Sequence, residues 1–271
     1  MDAFGSTVCD PPDEVQGTSC LSRLWDAPAA PYGQGTLCCR LDALPREPNV
    51  LADLILSPAE ADVWRSMRAV EKRRHEWLLG RCAAKDAVRL LVEKHAGVQL
   101  APADVEIQPD PYGRPRAVGP FTARLGIQPA ISISHSHGTG VALAAFDPGQ
   151  LVGIDLESLA QQRADFEAIA FDLEERRMLA ALPPGSRQEW ALRMWCAKEA
   201  VAKALGRGFS MGIQAFHIAG PQYGSGVMQL ELRDEALEHF PRLRGIPITA
   251  YTAREKAFVF STTIYQQGAV E

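Results

Sequence analysis

The sequence lacks several features that mark particular classes of protein. Its 271 residues contain no apolar run near the ~20 residues that a membrane-spanning helix needs. No basic segment precedes an apolar stretch at the N-terminus, so we expect no secretory leader. The six cysteines form no C-x-x-C pair or zinc-ligand spacing, which favours reduced thiols and a cytoplasmic location. A net charge of −5 argues against nucleic acid as a partner.

The composition, with 46% hydrophobic and 23% charged residues, is typical of a globular protein. The charge is unevenly distributed, because residues 65–94 carry nine basic and four acidic side chains, a net charge of +5. This leaves −10 for the rest of the chain. A basic helix on an acidic protein suits a small polyanionic ligand or an acidic partner, and a solvated helix face is the alternative.

Capping and turn signals predict an α+β fold behind a poorly ordered extension, residues 1–35. Capping boxes begin at Ser57 and Asp172, and Gly97 ends a long predicted helix. A further capped start at Ser186 predicts a second long helix that runs to Leu205. The predicted elements are helices over 71–95 and 186–205 and strands near 131–136, 141–146, 151–157, 227–233, 246–253 and 257–264.

A weak internal repeat links the two long helices. Lys85-Asp86-Ala87-Val88 lies 113 residues before Lys198-Glu199-Ala200-Val201, and the capping boxes are 115 residues apart. The repeat predicts two similar α+β halves, residues 36–125 and 126–271, with a ligand-binding cleft between them. Chance similarity of four residues is the alternative.

The strand over 151–157 places two carboxylates on one face. Strand residues two apart point the same way, so Gly153, Asp155 and Glu157 lie opposite three apolar residues. Adjacent carboxylates repel unless a cation lies between them, and a hard ion such as Mg²⁺ is the natural one. Gly153 leaves room for a close approach to the backbone. A solvated acidic strand face is the alternative.

The second long helix offers further polar groups on one face. Trp195, Glu199 and Lys203 recur at every fourth residue, so Glu199 could supply a third carboxylate and Lys203 could contact a phosphate. An ordinary Glu–Lys surface pair is the alternative. On the strand over 131–136, three serines share one face, where they can bond a phosphate or a neighbouring backbone, and His135 ends the strand.

Four segments follow one another in the chain, namely Gly113-Arg114-Pro115, Ile133-Ser134-His135-Ser136, the strand 152–157 and Trp195-Cys196-Ala197-Lys198-Glu199-Ala200-Val201-Ala202-Lys203. In this order they resemble the motifs of the 4′-phosphopantetheinyl transferases, in particular the larger single-chain, surfactin-synthetase-activating type. The resemblance covers about residues 50–265.

The resemblance implies a pseudo-dimer of two α+β halves with the active site in the cleft between them. It implies an enzyme that moves the phosphopantetheine arm of coenzyme A to a serine of an apo acyl, polyketide or peptidyl carrier protein. The other product is 3′,5′-ADP. We expect a monomer.

The resemblance also implies roles for individual residues. Asp155, Glu157 and Glu199 would bind Mg²⁺, and Glu199 would help to deprotonate the attacking serine. Lys203 would stabilise the leaving phosphate. The expected coenzyme A contacts are Ser134, His135, Lys203, Arg114 near the adenosine end, and Lys72.

The chain departs from the family near the first capped helix, where Glu60 stands in place of an expected lysine. The resemblance therefore leaves the 3′-phosphate contact unassigned, and Lys72 or Arg73, ahead of Leu79-Gly80-Arg81, is the candidate for it. A non-catalytic module that binds coenzyme A or a carrier protein is an alternative function, and a coenzyme A pyrophosphatase is another.

Overall fold

Eight α-helices and eleven strands make up the part of the chain that the computed structural model describes, which is residues 20–25, 36–126, 128–146, 149–160 and 165–266. The first group of elements is β1 Arg23–Leu24, β2 Thr36–Leu41, α1 Pro48–Ile55, α2 Pro58–Ser66, α3 Glu71–Ala96, β3 Glu106–Pro109, β4 Pro115–Val118, α4 Pro120–Leu125, β5 Ala130–Ser136 and β6 Thr139–Ala145. The second group is β7 Gln150–Ser158, α5 Phe166–Ala170, α6 Leu173–Ala180, α7 Pro184–Ala204, β8 Phe216–Gln222, β9 Val227–Leu232, α8 Asp234–His239, β10 Ile248–Glu255 and β11 Phe258–Gln266.

The two groups form two antiparallel sheets with the same connectivity. The first sheet has the order β1-β2-β6-β5-β4-β3, and the second has the order β7-β11-β10-β9-β8. Strands β2 to β6 therefore match β7 to β11 one for one, and α3 and α7 occupy equivalent places in the chain. The predicted α+β fold of two similar halves is confirmed.

The chain passes from the first sheet to the second between Ala145 and Gln150, because β5 and β6 pair with β2 and β4. This crossing lies later in the chain than the predicted boundary after residue 125. Most of the predicted extension, residues 1–35, lies outside the described residues. Residues 20–25 do not: Leu24 pairs with Cys39, and the side chain of Asp86 accepts hydrogen bonds from the backbone of Leu21 and Ser22.

The helix signals in the sequence are largely confirmed. The capping boxes at Ser57 and Asp172 are both formed, and α3 ends at Gly97 in the left-handed conformation with φ 63°. The start predicted at Ser186 is wrong, because α7 begins with Pro184 in its first turn, where the missing N–H of proline costs nothing. Strands β1 to β4 and β8 were not predicted. Strand β8 contains Gly220 and Pro221 and is irregular between Ile218 and Gly220, which weakens the strand signal.

The two sheets share an apolar layer between β6 and β7. Val141 and Leu143 pack against Val152, Ile154 and Leu156, all of which are buried. The apolar face predicted for the strand over 151–157 is therefore the face that joins the halves. None of the helices among the residues described here is both long and apolar enough to cross a membrane.

Serine hydroxyls replace apolar packing where β5 meets β7. The Oγ of Ser132 accepts a hydrogen bond of 3.0 Å from the backbone N–H of Ile154, and that of Ser134 accepts one of 3.2 Å from Leu156. These strands belong to different sheets, so the hydroxyls satisfy backbone groups that would otherwise be unpaired. The serine face predicted on β5 thus bonds to a neighbouring backbone and fixes the strand that carries the acidic residues.

Candidate functional site

A cleft of about 520 Å³ lies between the two halves and holds most of the residues singled out in the sequence. The first half contributes α3, β5 and the turn between β3 and β4, and the second half contributes β7, α7 and the loop after α7. Seven of the eight predicted site residues line this cleft, namely Arg114, Ser134, His135, Asp155, Glu157, Glu199 and Lys203.

The strand β7 lies directly against α7, which brings the two acidic elements together. A Cβ atom at Gly153 would overlap the carbonyl oxygen of Ala200. Any side chain at position 153 would therefore push α7 away from the strand. The close approach predicted at Gly153 is made by the backbone of this helix.

Lys203, Asp155 and Ser134 form a hydrogen-bonded cluster on the cleft wall. The Nζ of Lys203 lies 2.7 Å from Oδ1 of Asp155 and also donates to the Oγ of Ser134 at 3.2 Å. The same carboxylate oxygen accepts a hydrogen bond of 2.9 Å from Ser134. Burial by itself would lower the pKa of Lys203, but the charges of Asp155 and Glu199 raise it above its ordinary value. Lys203 therefore stays positively charged.

The other two acidic residues have strongly perturbed pKa values. Burial, together with the charge of Asp155, raises the pKa of Glu157 to about 7. Burial and the charges of Asp155 and Glu157 raise the pKa of Glu199 to about 7 as well. One positive side chain, Lys203, lowers both values but does not offset three carboxylates. The site therefore has an excess of negative charge that a bound cation would relieve.

The donor chemistry of Asp155, Glu157 and Glu199 suits a hard divalent cation, although among the described residues their oxygens do not all lie within 4.8 Å of one another. Among the described residues, Oδ2 of Asp155 is buried and has no hydrogen-bond partner, which is uncommon for a carboxylate that is 4% exposed. Glu157 and Glu199 face the same cleft and add carboxylate oxygens. Oxygen ligands of this kind are those that Mg²⁺ prefers.

A second cluster of acidic residues, elsewhere in the chain, is neutralised by an arginine side chain. Ligand atoms of Asp172, Glu174 and His217 lie within 4.8 Å of one another. The guanidinium of Arg233 lies 3.5 Å from Asp172 and 3.4 Å from Glu174, and Asp172 also caps α6. We therefore regard this group as a structural cluster.

The predicted coenzyme A contacts divide between two adjoining depressions. Arg114, Ser134 and His135 line the cleft, whereas Lys72 lines a neighbouring basic depression with Arg68 and Arg73. The two depressions share Trp77 and His135. Burial lowers the pKa of His135, although Glu76 at 3.9 Å opposes that shift.

The cleft residues that were not predicted as ligand contacts include two aromatic residues and two arginines, namely Trp77, Arg81, Tyr112 and Arg207. The guanidinium of Arg81 lies 4.4 Å from the centre of the Trp77 ring, and that of Arg207 lies 4.4 Å from the Tyr112 ring. Trp77 and Arg81 are one helical turn apart on α3, a spacing that could have identified them as one face. Tyr112 and Arg207 are far apart in the sequence, and no local pattern connects them.

Comparison with known proteins agrees with these observations. The family description of the 4′-phosphopantetheinyl transferase superfamily matches residues 151–251. A holo-[acyl-carrier-protein] synthase of Shewanella amazonensis is 34% identical over 92 residues, which are 34% of this chain and 74% of the relative. The synthase of Bacillus subtilis is 31% identical over 108 residues, which are 39% of this chain and 86% of the relative.

Among solved structures, a holo-(acyl-carrier-protein) synthase from Bacillus anthracis in complex with CoA (3′,5′-ADP) matches 41% of this chain and 94% of its own. Its sequence identity is 24% and the TM-score is 0.31. The identities to the Shewanella and Bacillus subtilis proteins extend over most of the length of each relative. The chain therefore belongs to the 4′-phosphopantetheinyl transferase superfamily.

Proposed function

We propose that this protein transfers the 4′-phosphopantetheine arm of coenzyme A to a serine of an apo carrier protein and releases 3′,5′-ADP. The observation that carries the proposal is the convergence of Asp155, Glu157, Glu199 and Lys203 on one cleft between the halves. Relatives named holo-[acyl-carrier-protein] synthase support the substrate class.

In the proposed reaction the serine Oγ of the carrier attacks the phosphorus that bears the pantetheine arm. The P–O bond to the nucleotide breaks, and 3′,5′-ADP leaves with the bonding electron pair. Serine is a weak nucleophile, so its proton must pass to a base as the new bond forms. Glu199 suits this role, because its pKa of about 7 lies close to neutral pH.

Lys203 suits the leaving group. Its charge is retained by the surrounding carboxylates, and an ammonium group offsets the negative charge that grows on the departing phosphate. Asp155, Glu157 and Glu199 are the residues that would hold Mg²⁺, which supplies further positive charge for the pyrophosphate.

The remaining cleft residues suit the other parts of coenzyme A. His135 lies where it can bind its phosphates, and Arg114 lies near the loop after α7, where the adenosine would fit. Ser134 would bind a phosphate by redirecting the O–H that it donates to Asp155. Lys72, in the adjoining basic depression, suits the 3′-phosphate. An acyl, polyketide or peptidyl carrier is the partner we propose.

The two matched halves favour the larger, single-chain type of transferase. The relatives match 34% and 39% of this chain, whereas the chain holds two sheets of the same connectivity around one cleft. A monomer would then contain a complete site. Sedimentation of the purified protein would test this point.

The test is an intact-mass measurement of an apo carrier protein after incubation with this protein, coenzyme A and Mg²⁺. We expect a gain of one phosphopantetheine arm, lost with a chelator and absent when the carrier serine is alanine. Coenzyme A binding without a mass gain on acyl, polyketide or peptidyl carriers would instead identify a binding module. Release of 3′,5′-ADP without a carrier would identify a pyrophosphatase.

A further inference from the structure

Two buried ion pairs occupy equivalent places in the two halves. In the second half, Nζ of Lys198 lies 2.7 Å from Oε2 of Glu175, and in the first half Nζ of Lys85 lies 2.6 Å from Oε2 of Glu60. All four side chains are nearly or completely buried. Lysine and glutamate are almost never buried unless they are paired, so each pair must serve the structure around it.

The remaining hydrogen bonds of the glutamates match atom for atom. In the first half, Oε2 of Glu60 accepts from the backbone N–H of Ser57 at 3.1 Å and Oε1 accepts from Ile107 at 3.1 Å. In the second half, Oε2 of Glu175 accepts from Asp172 at 3.0 Å and Oε1 accepts from Ile218 at 2.9 Å. Each carboxylate therefore joins a capped short helix to a strand of its sheet.

The lysines complete the connection to the long helices. Lys198 on α7 also donates to the carbonyl of Ala170 at 3.0 Å, and Lys85 on α3 donates to the carbonyls of Pro102 and Val105. Lys198 thus fixes α7 to the ends of α5 and α6 that precede it, and Lys85 fixes α3 to α2 and to the segment before β3.

Lys198 makes these contacts away from the cleft, although its neighbour Glu199 lines it. The side chain of Lys198 is 0% exposed and is absent from the described residues that line the cleft. Adjacent helix residues project about 100° apart, so fixing Lys198 on one side of α7 fixes the direction of Glu199. Lys203 projects from the same helix, one turn after Glu199.

The matching pair in the first half acts on the opposite wall. The carboxylate of Glu60 pairs with the ammonium group of Lys85, and its Oε1 lies 3.5 Å from Nε of Arg81. Arg81 lines the cleft together with Trp77. Arg81 and Lys85 are one turn apart on α3. The Lys85–Glu60 pair therefore fixes the wall that carries Arg81 and Trp77. The Lys198–Glu175 pair fixes the wall that carries Glu199 and Lys203.

We propose that Lys198 and Lys85 are positioning residues, each of which sets the rotation of the helix that forms one wall of the cleft. The proposal rests on the proposed function and adds that the two ion pairs position different residues of the cleft. The Lys198–Glu175 pair aligns Glu199 and Lys203, which act on the reacting atoms. The Lys85–Glu60 pair aligns α3, whose Trp77 and Arg81 line the cleft and whose Lys72 is the residue proposed for the 3′-phosphate of coenzyme A.

The test compares two double variants, Glu175→Gln with Lys198→Met and Glu60→Gln with Lys85→Met. Changing both partners leaves neither the lysine nor the glutamate buried and unpaired, although Arg81 loses the carboxylate of Glu60 in the second variant and keeps its contact with the Trp77 ring. Thermal melts first identify a temperature at which each variant is folded. At that temperature kcat and KM for coenzyme A are measured with an apo acyl carrier protein and Mg²⁺.

We expect the first variant to lose about tenfold or more in kcat while KM for coenzyme A changes by less than about threefold. The second variant should show the reverse, with KM for coenzyme A raised about tenfold and kcat within about threefold of the wild type. Both variants lose a buried lysine–glutamate pair, so a general loss of stability would affect them alike. A fall in kcat in one variant and a rise in KM in the other would therefore not follow from lower stability alone.

Three results would overturn the proposal. Unchanged kcat in the folded Glu175→Gln, Lys198→Met variant would show that the pair does not align the base. A rise in KM for coenzyme A in that variant without a fall in kcat would show that Lys198 serves substrate binding. Equal effects of the two variants on kcat would show that both pairs have a structural role only.

A wild-type protein that modifies no carrier would refute the proposed function as well. An active wild type would confine the failure to the positioning roles.

Discussion

The hydroxyl of Ser134 donates a hydrogen bond of 2.9 Å to Oδ1 of Asp155, so a strand of the first sheet contacts a carboxylate of the second. The same hydroxyl accepts a hydrogen bond from the backbone N–H of Leu156, and its Oγ lies 3.2 Å from Nζ of Lys203. Ser134 therefore joins the two halves at the acidic side of the cleft, where both halves must be held in register.

This contact gives a prediction with a matched control. Ser134→Ala should lower the free energy of unfolding by about 1–2 kcal/mol, because it leaves a buried N–H unpaired, and should also reduce transfer. Ser132→Ala removes an equivalent bond, to the N–H of Ile154, but one that does not involve Asp155. Although Ser132 also lines the cleft, this variant should cost similar stability and reduce transfer less than Ser134→Ala does, because the contact with Asp155 is kept. Urea unfolding and carrier modification rates would measure both, and equal activities in the two variants would contradict the role of Ser134.

Glu199→Gln should abolish transfer without disrupting the fold. The amide keeps the shape of the side chain but cannot take the proton of the serine. We expect a loss of at least about 10²-fold in kcat, with a far-ultraviolet circular dichroism spectrum like that of the wild type. Modification of the carrier at the normal rate would exclude Glu199 as the base.

The raised pKa values of Glu157 and Glu199 predict an unusual pH dependence of stability. Each group binds its proton more tightly in the folded state than in the unfolded state. Their contribution to stability is therefore complete below about pH 4 and is lost as the pH rises through about 7. In the absence of divalent cations, Glu199→Gln should raise the free energy of unfolding at pH 8 by roughly 1–3 kcal/mol.

The same titration should affect cation binding. Since only deprotonated carboxylates bind a metal, Mg²⁺ should bind more weakly at pH 6 than at pH 8 and should release protons when it binds. Calorimetry in buffers of different ionisation enthalpy would measure the protons released. A stability of the metal-free wild type that rises between pH 5 and pH 8 would contradict the assignment of these pKa values.

Gly153→Ala should destabilise the protein by several kcal/mol. The added methyl group would overlap the carbonyl of Ala200, and a backbone atom of a packed helix cannot move aside cheaply. Gly185→Ala on α7, where nothing lies near the added atom, is the control and should be neutral or slightly stabilising. Thermal melts that show equal stability for the two variants would contradict this packing.

The contact between Arg207 and Tyr112 connects the two halves at one side of the cleft. Because the Arg207 guanidinium lies 4.4 Å from the Tyr112 ring, Arg207→Ala should loosen this side of the cleft and raise KM for coenzyme A by about three- to tenfold. Arg193→Ala breaks a similar contact with Trp190, which is not a cleft residue. We expect that control to change stability but not KM.

The sequence by itself determined the two long helices, six of the eleven described strands and the order of the motifs. The alternation of apolar and polar residues predicted the shared face of Asp155 and Glu157, and helical spacing placed Glu199 and Lys203 together. The capping box at Ser57 is formed as predicted. These signals depend on neighbours along the chain, which is why they were visible. Strand β8 was missed because its glycine and proline weaken the same local signals.

Only the tertiary structure decided what lies opposite each residue. The motif that contains Lys198 did not reveal that this lysine is buried against Glu175 while its neighbour Glu199 faces the cleft. The contact of Arg207 with Tyr112 likewise has no local signature. Periodicity fixes the direction of a side chain within its own element, whereas its partner depends on how the two halves pack.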